Sequence, residues 1–313
     1  MKRRRDSDVC GVVVIDKPRG PTSFDVVAEV RRRMHTARVG HTGTLDPMAT
    51  GILPICLGEA CKLVPFLTDC DKAYEADVVF GIGTTTGDAE GDVVARTSVD
   101  GLTAERVALQ AEKLVGEIMQ TPPMYSAIKI DGQRLYDLAR QGIEVERKAR
   151  PVTVRSLSVM PVEGDGGAVY RLRITCTKGT YIRVIAEDLG ALLGVPAHLS
   201  MLRRTAVGRF DLAQAVQLRD LSSDTPLVGL ADAVDHLPTT IVDEEGARRI
   251  RAGQERWLFA LATPPHEGRS RIVDQQNCLV AVIARAGQKI VFERVFVDSS
   301  GALGANTGNL QPL

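Results

Sequence analysis

At 313 residues the chain has room for one large domain and a small second one, each with a core of its own. Its composition, 44% hydrophobic and 25% charged, is that of a globular protein. No apolar run approaches the roughly 20 residues that span a bilayer, and residues 12–15 are too short for a signal core behind the basic residues 2–5, so a cytoplasmic protein with no membrane partner is expected. The net charge is zero, 39 basic against 39 acidic residues, yet the charge is segregated. Residues 1–43 carry ten Lys/Arg against five Asp/Glu, residues 124–155 seven against four, and residues 211–246 one against eight. Two local basic stretches suit a phosphate-bearing partner without any net charge.

The β-branched run Gly11-Val12-Val13-Val14-Ile15-Asp16 reads as a buried strand, ended by the two-proline turn at 17–21. Thr22 or Ser23 then caps a helix to about Met34, with Phe24, Val27 and Val30 along one face. A glycine-punctuated loop over 40–51 leads into a second apolar run, 52–57. Residues 74–80 read as a strand, followed by a Gly/Thr-rich stretch at 81–91. Thr103 opens a helix to about Val115, with Leu109, Glu112 and Val115 periodic. Residues 121–150 break the pattern and read as an insertion, with a short helix near 135–141. Strands follow at 152–160 and 170–176, and a helix over 181–193 stops at Gly194, a suitable C-cap. Beyond about Pro238 short apolar runs (257–261, 279–284, 289–297) alternate with Gly and Pro, the texture of a small β-rich module. The tail after Ser299 is Gly/Asn-rich and expected to fray. Taken alone, these elements support an α and β protein of two domains.

Six cysteines (Cys10, Cys56, Cys61, Cys70, Cys176, Cys278) form no Cys-x-x-Cys pair and do not cluster with histidine, so reduced structural thiols are expected. The histidines His35, His41, His198, His236 and His266 are scattered, and no Gly-x-Ser-x-Gly elbow occurs. Residues 81–91 lack both the Gly-Lys-Ser/Thr ending of a P-loop and the third glycine of a dinucleotide fingerprint. Thr84, Thr85, Thr86 and Asp88 suit contacts to sugar hydroxyls or backbone donors instead. What remains is carboxylate chemistry. Asp46, in a Gly/Thr-rich loop between a basic helix and an apolar strand, fits a nucleophile or an acid–base group, although an Asp before Pro is more often a turn residue.

Asp16-Lys17-Pro18-Arg19-Gly20-Pro21-Thr22-Ser23, followed by Gly40-His41-Thr42-Gly43-Thr44-Leu45-Asp46-Pro47-Met48-Ala49-Thr50-Gly51, resembles the two N-terminal signatures of the TruB family, the tRNA pseudouridine-55 synthases. The likeness continues in order through Asp71-Lys72-Ala73-Tyr74, Thr84-x-Thr86-x-Asp88-x-x-Gly91, Pro122-Pro123-Met124-Tyr125-Ser126-Ala127, Lys178-Gly179-Thr180-Tyr181-Ile182-Arg183 and Leu202-Arg203-Arg204-Thr205. It covers residues 11 to about 210; the remainder resembles the family's PUA-like RNA-binding module only loosely.

The resemblance implies an α+β fold. A mixed, mainly antiparallel sheet with flanking helices would occupy residues 9–236, with an insertion at about 124–150, and a small β-rich PUA-like domain would occupy 238–313. It implies an isomerase that breaks the N1–C1′ bond of a T-loop uridine in tRNA, rotates the base and rejoins it through C5, with no cofactor and no metal. Asp46 becomes the catalytic carboxylate and Arg183 its cationic partner. Such a partner is needed because burial alone would raise a carboxylate's pKa, and a guanidinium fork can hold it at two points. Among substrate-binding residues, Tyr74 matches the ring that stacks on the extruded uridine, Tyr181 a second lining residue, Leu202 an apolar wall and His41 the histidine among the T-loop bases. Asp88 is carried as a contact or supporting residue, and Lys17 and Pro18 as supports of the loop. The insertion, with Lys129, Arg134, Arg140, Arg147, Lys148 and Arg150, is expected to clamp RNA by shape and charge, moving until RNA binds. No feature demands an oligomer, so a monomer is expected. Three rival readings use the same residues: an RNA-binding module that has no need of Asp46, a hydrolase that pairs Asp46 with Asp88 and releases the base, and a pseudouridine synthase with a different RNA target.

Overall fold

β1 (Gly11–Lys17) is buried on both faces, which is why its sequence is an unbroken apolar run rather than an alternation. The computed structural model describes residues 9–297 apart from 127, 131, 164–167, 260 and 262–264; the tail after Ser299 lies outside the described residues. α1 (Ser23–Arg33) begins at Thr22, whose hydroxyl accepts from the Asp25 amide while the Asp25 carboxylate accepts from Thr22 N. Val26, Val27 and Val30 form its buried face; Phe24, expected on that face, is 62% exposed. The helix turns by 100° per residue, and the face is set by the 26/27/30 spacing, which leaves position 24 outside.

β2 (Val39–His41) and β3 (Thr50–Leu57) flank the glycine-punctuated loop, and α2 (Val64–Asp69) leads to β4 (Lys72–Phe80). A hairpin of β5 (Ile82–Thr84) and β6 (Val93–Arg96) carries the Gly/Thr-rich stretch at its turn. α3 (Ala104–Glu112) follows its N-cap Thr103 and buries Val107 and Ala111. The expected 109/112/115 face is wrong: Leu109 and Val115 are exposed. β7 (Gly116–Gln120) precedes the insertion, which contains the β8 (Lys129–Ile130) and β9 (Gln133–Arg134) hairpin and α4 (Leu135–Arg140). β10 (Arg150–Pro161), β11 (Val169–Cys176) and α5 (Ile182–Leu193) match the sequence expectation, and Gly194 caps α5 in the left-handed conformation at φ 78°. The sequence reading assigned no strand to β12 (Ala197–Val207), although it is central to the sheet; β13 (Phe210–Asp211), β14 (Val216–Gln217) and α6 (Leu230–Ala233) complete this part.

These strands form one ten-stranded sheet in the order β14-β1-β3-β12-β4-β11-β10-β7, with β13 on β12 and β2 on β3. The β1–β14 and β3–β12 pairs are parallel and the others antiparallel, so the sheet is mixed and mainly antiparallel. On one face α1, α3 and α5 bury a core that includes Val13, Ile15, Val30, Leu53, Val107, Leu172, Ile185 and Leu189. The β1 residues of opposite parity, Val12 and Val14, face the other side with Ile52, Cys56 and Phe66.

A second sheet, β15-β16-β17-β18, comprises β15 (Thr239–Val242), β16 (Gly268–Asp274), β17 (Leu279–Ala286) and β18 (Lys289–Val295). α7 (Glu244–Arg251) and α8 (Arg256–Phe259) pack with it around Ile250, Leu258, Ile272 and Val280. The run at 257–261 is therefore helical at its start rather than a strand, anchored by Leu258 and by Trp257 beneath Arg249. Val273, Leu279, Val282 and Phe296 of this module share the core on the second face of the large sheet with Val12 and Val14. No helix among the described residues is long and apolar enough to cross a membrane.

Candidate active site

Asp46 stands between β2 and β3 on a loop that three buried side chains tie down residue by residue. The Ser23 hydroxyl accepts from Leu45 N (2.9 Å) and donates to Leu45 O (3.1 Å). Lys17 Nζ donates to the carbonyls of Pro18, Pro47 and Ala49 at 3.0, 3.3 and 2.7 Å. The Arg204 guanidinium donates to the carbonyls of Gly43 (3.1 Å) and Ile52 (2.7 Å) and reaches that of Thr44 at 3.5 Å. Ala49 N closes a turn onto Asp46 O, and Gly20 N reaches Pro47 O. The tandem Thr22-Ser23 thus splits its work: Thr22 caps α1, and Ser23 turns inward to the loop. Gly51 is required where it stands, because φ is +98° and an added Cβ would lie 2.1 Å from Arg204 O.

With its backbone held, the Asp46 side chain remains 38% exposed and meets a buried cation. Arg183 Nη2 lies 3.1 Å from Asp46 Oδ2, and the arginine side chain is only 5% exposed. It is buried because α5 turns Ile182, Ile185, Ala186 and Leu189 into the core and Arg183 toward the loop. Gln120 fixes the start of the helix by bonding both the amide and the carbonyl of Tyr181, at 2.7 and 3.1 Å. The guanidinium also donates to Thr86 O (3.0 Å) and Tyr125 O (2.7 Å), and its Nη1 lies 3.4 Å from Asp88 Oδ2. Asp88 is buried; its other oxygen accepts from the Thr86 hydroxyl (2.6 Å) and Glu90 N (3.1 Å). The Gly/Thr-rich turn at 84–92 is therefore a scaffold that presents a carboxylate and a carbonyl to Arg183. Glu187 stands one turn along α5; desolvation raises its carboxyl pKa, and nearby Arg183 opposes that.

Tyr74 lies opposite Arg204 across the β4–β12 ladder and is half-buried. Burial pushes its phenol pKa up, and nearby Arg204 pulls the other way. Leu202 is buried two residues before Arg204 on β12, on the same face. His41 Nδ1 accepts from Gly43 N at 3.2 Å, and burial, with Arg204 nearby, lowers the imidazole pKa and favours the neutral ring. The exposed Phe24 ring meets His41 edge-on, with centroids 5.8 Å apart. Tyr181 is half-buried under the Arg150 guanidinium, 5.4 Å from its ring.

Asp46, Arg183 and Asp88 thus form one ion-paired set, while Tyr74, Leu202 and His41 gather around Arg204 and the loop. The sequence reading gave no role to Ser23 in the loop or to Arg204. Their only signals were a second hydroxyl beside the helix cap and an arginine inside the Leu202-Arg203-Arg204-Thr205 run. On the insertion, Arg140 and Lys148 are exposed, whereas Arg147 is tied to Pro122 O and Arg150 to Gly179 O. The Lys129 and Arg134 side chains lie outside the described set.

Residues 31–182 match the family model for the N-terminal domain of TruB family pseudouridylate synthases, and residues 183–228 that for the tRNA pseudouridylate synthase B C-terminal domain. A tRNA pseudouridine synthase B from Aromatoleum aromaticum is 52% identical over 79% of this chain and 80% of its own length. One from Methylobacillus flagellatus is 37% identical over 96% of this chain and 99% of its own. Among solved structures, a chain in the crystal structure of a Cbf5-Nop10-Gar1 complex superposes with a TM-score of 0.71 at 26% identity, covering 93% of this chain and 86% of that one. The sheet order, the ion-paired loop and these matches agree, and the chain belongs to the TruB family of pseudouridylate synthases.

Proposed function

We propose that this chain isomerises a uridine to pseudouridine in the T loop of tRNA, at position 55, with Asp46 as the catalytic carboxylate. The observation that carries the reading is the pairing of a solvent-accessible Asp46 with the buried Arg183 on a loop immobilised by Lys17, Ser23 and Arg204. Relatives named tRNA pseudouridine synthase B supply the substrate class.

In this reading the target base leaves its stack at a cost of a few kcal/mol, offset by about 1–3 kcal/mol from stacking on Tyr74. Leu202 and Tyr181 wall the pocket, and neutral His41 packs among the loop bases. The N1–C1′ bond breaks, the base turns, and the C5–C1′ bond forms; C5 gives up its proton and N1 gains one, so composition is unchanged. Two routes employ the same carboxylate: attack on carbon, or removal of the C2′ proton to give a glycal. Arg183 aims Asp46 in either route. The exposed cations of the insertion meet the stem phosphates. Residues 9–236 act as the catalytic unit and 238–313 as a PUA-like RNA-binding module, in a monomer.

The test is to incubate the purified protein with unmodified tRNA and map pseudouridine by carbodiimide-dependent reverse-transcription stops, with the mass of the tRNA measured in parallel. A stop at the T-loop uridine with unchanged mass is expected. Loss of uracil with gain of one water, a net drop in mass, would establish the hydrolase reading instead. Asp46→Asn should bind tRNA as the parent does and yield no product; retention of full function would leave an RNA-binding module with no chemistry.

A further inference from the structure

Arg204 is the largest of the fully buried side chains, 1% exposed, and among the described residues no carboxylate lies within salt-bridge distance of it. Burying a guanidinium without a counter-ion is expensive, and an apolar side chain of similar volume would fill the same space at lower cost. Its donors do not go to the wider fold. Nε reaches Ile52 O, Nη2 Gly43 O and Nη1 Thr44 O, three carbonyls that bracket Asp46. The backbone concentrates these contacts as well, since Arg204 pairs with Tyr74 on β4 and with Gly51 on β3. Gly51 lets β3 press onto the Arg204 carbonyl, where a Cβ would stand at 2.1 Å.

We infer that Arg204 is a positioning residue that sets where the Asp46 carboxylate stands relative to Tyr74: its guanidinium holds the carboxylate's loop, and its backbone pairs with Tyr74 on β4. It touches neither substrate nor reacting atoms. The inference rests on the reading above, in which Tyr74 holds the base and Asp46 acts on its nucleoside. A planar five-donor fork can hold three carbonyls together, which a lysine ammonium with three donors on a flexible stem does only in part. Displacement of a reacting group by about 1 Å lowers rates on the order of 100-fold, while the binding surface is left in place.

The experiment compares the parent with R204K and R204M, reading single-turnover pseudouridine formation, tRNA Kd and Tm. R204M should lose about 100-fold in the chemical step with Kd changed less than about threefold, and R204K should recover roughly tenfold of that loss. A rate unchanged in R204M, or a loss confined to Kd, would overturn the inference. Should R204M fail to fold, R204K decides: a slower step at unchanged Tm supports the role, and a parental rate refutes it. An Asp46→Asn enzyme that kept its rate would defeat the assignment of Asp46, while the effect of Arg204 on the rate would still be read from the same variants.

Discussion

Arg183→Met removes the cation shared by Asp46 and Asp88, and the two carboxylates should respond differently. Asp46 is 38% exposed and is rehydrated when its partner goes, so its contribution to stability is small. Asp88 is buried, and its Oδ2 loses the Arg183 cation while Oδ1 keeps the Thr86 hydroxyl and the Glu90 amide. Breaking a buried pair by removing one partner costs about 3–5 kcal/mol, and the two surviving bonds place this case near the lower end, about 3 kcal/mol. The freed carbonyls of Thr86 and Tyr125 add to it. A Tm lower by about 5 °C is expected, together with loss of pseudouridine formation. Adding Asp88→Asn should restore most of the stability, because the charge that lost its partner is gone, and none of the activity, because Asp46 is still unaimed. Calorimetry and single-turnover assays on R183M, D88N and R183M/D88N read both quantities. If D88N fails to restore stability in the R183M background, the buried-charge argument is wrong; if R183M stays active, Arg183 does not aim Asp46.

Gly51→Ala forces a Cβ against Arg204 O in a left-handed backbone, so it should destabilise the protein by about 2–4 kcal/mol and slow the chemical step, as read by urea unfolding and single-turnover rates. Lys17 is fully buried, and that burial lowers its pKa from 10.5 to about 8, against the pull of Asp46. Between about pH 8 and 10.5 the unfolded chain therefore holds the extra proton, and this residue's contribution to stability rises with pH. Lys17→Met should flatten the measured rise in unfolding free energy across that window by up to about 1.4 kcal/mol per pH unit; an unchanged slope would show that burial does not lower the Lys17 pKa. Arg140→Ala with Lys148→Ala should weaken tRNA binding and reduce the magnitude of the log Kd against log salt slope by about 2, with no change in Tm.

Where hydrophobic period and cap chemistry agree, the elements were legible from sequence: β1, α1 and α5 with its Gly194 cap stand where expected. β12 was not, because its interior carries Arg203, Arg204 and Ser200, and polar residues in a strand hide its period. The faces of α1 and α3 were misread because Phe24 and Leu109 are apolar residues left at the surface, a normal occurrence that pattern alone does not separate from burial. Asp46 and Arg183 lie 137 positions apart, and no local spacing brings them together; motif resemblance did. Two polar supports of the loop stayed hidden for the same reason: Arg204 and Ser23 bond backbone groups far along the chain, which leaves no periodic trace.

The core shared by Val12, Val14 and Phe66 of the large sheet with Val273, Leu279 and Phe296 of the small one has a consequence for how the chain comes apart. Lys62 also donates to Val295 O, and Asp69 pairs at once with Lys178, five residues before Arg183, and with Arg269 of β16. Release of the small sheet would strip the back of β1 and β3, the strands that support the Asp46 loop. Heat or denaturant should therefore melt both parts in a single cooperative transition, and a cut near residue 237 would yield no independently stable enzyme fragment. The last sheet behaves thermodynamically as the rear wall of the first.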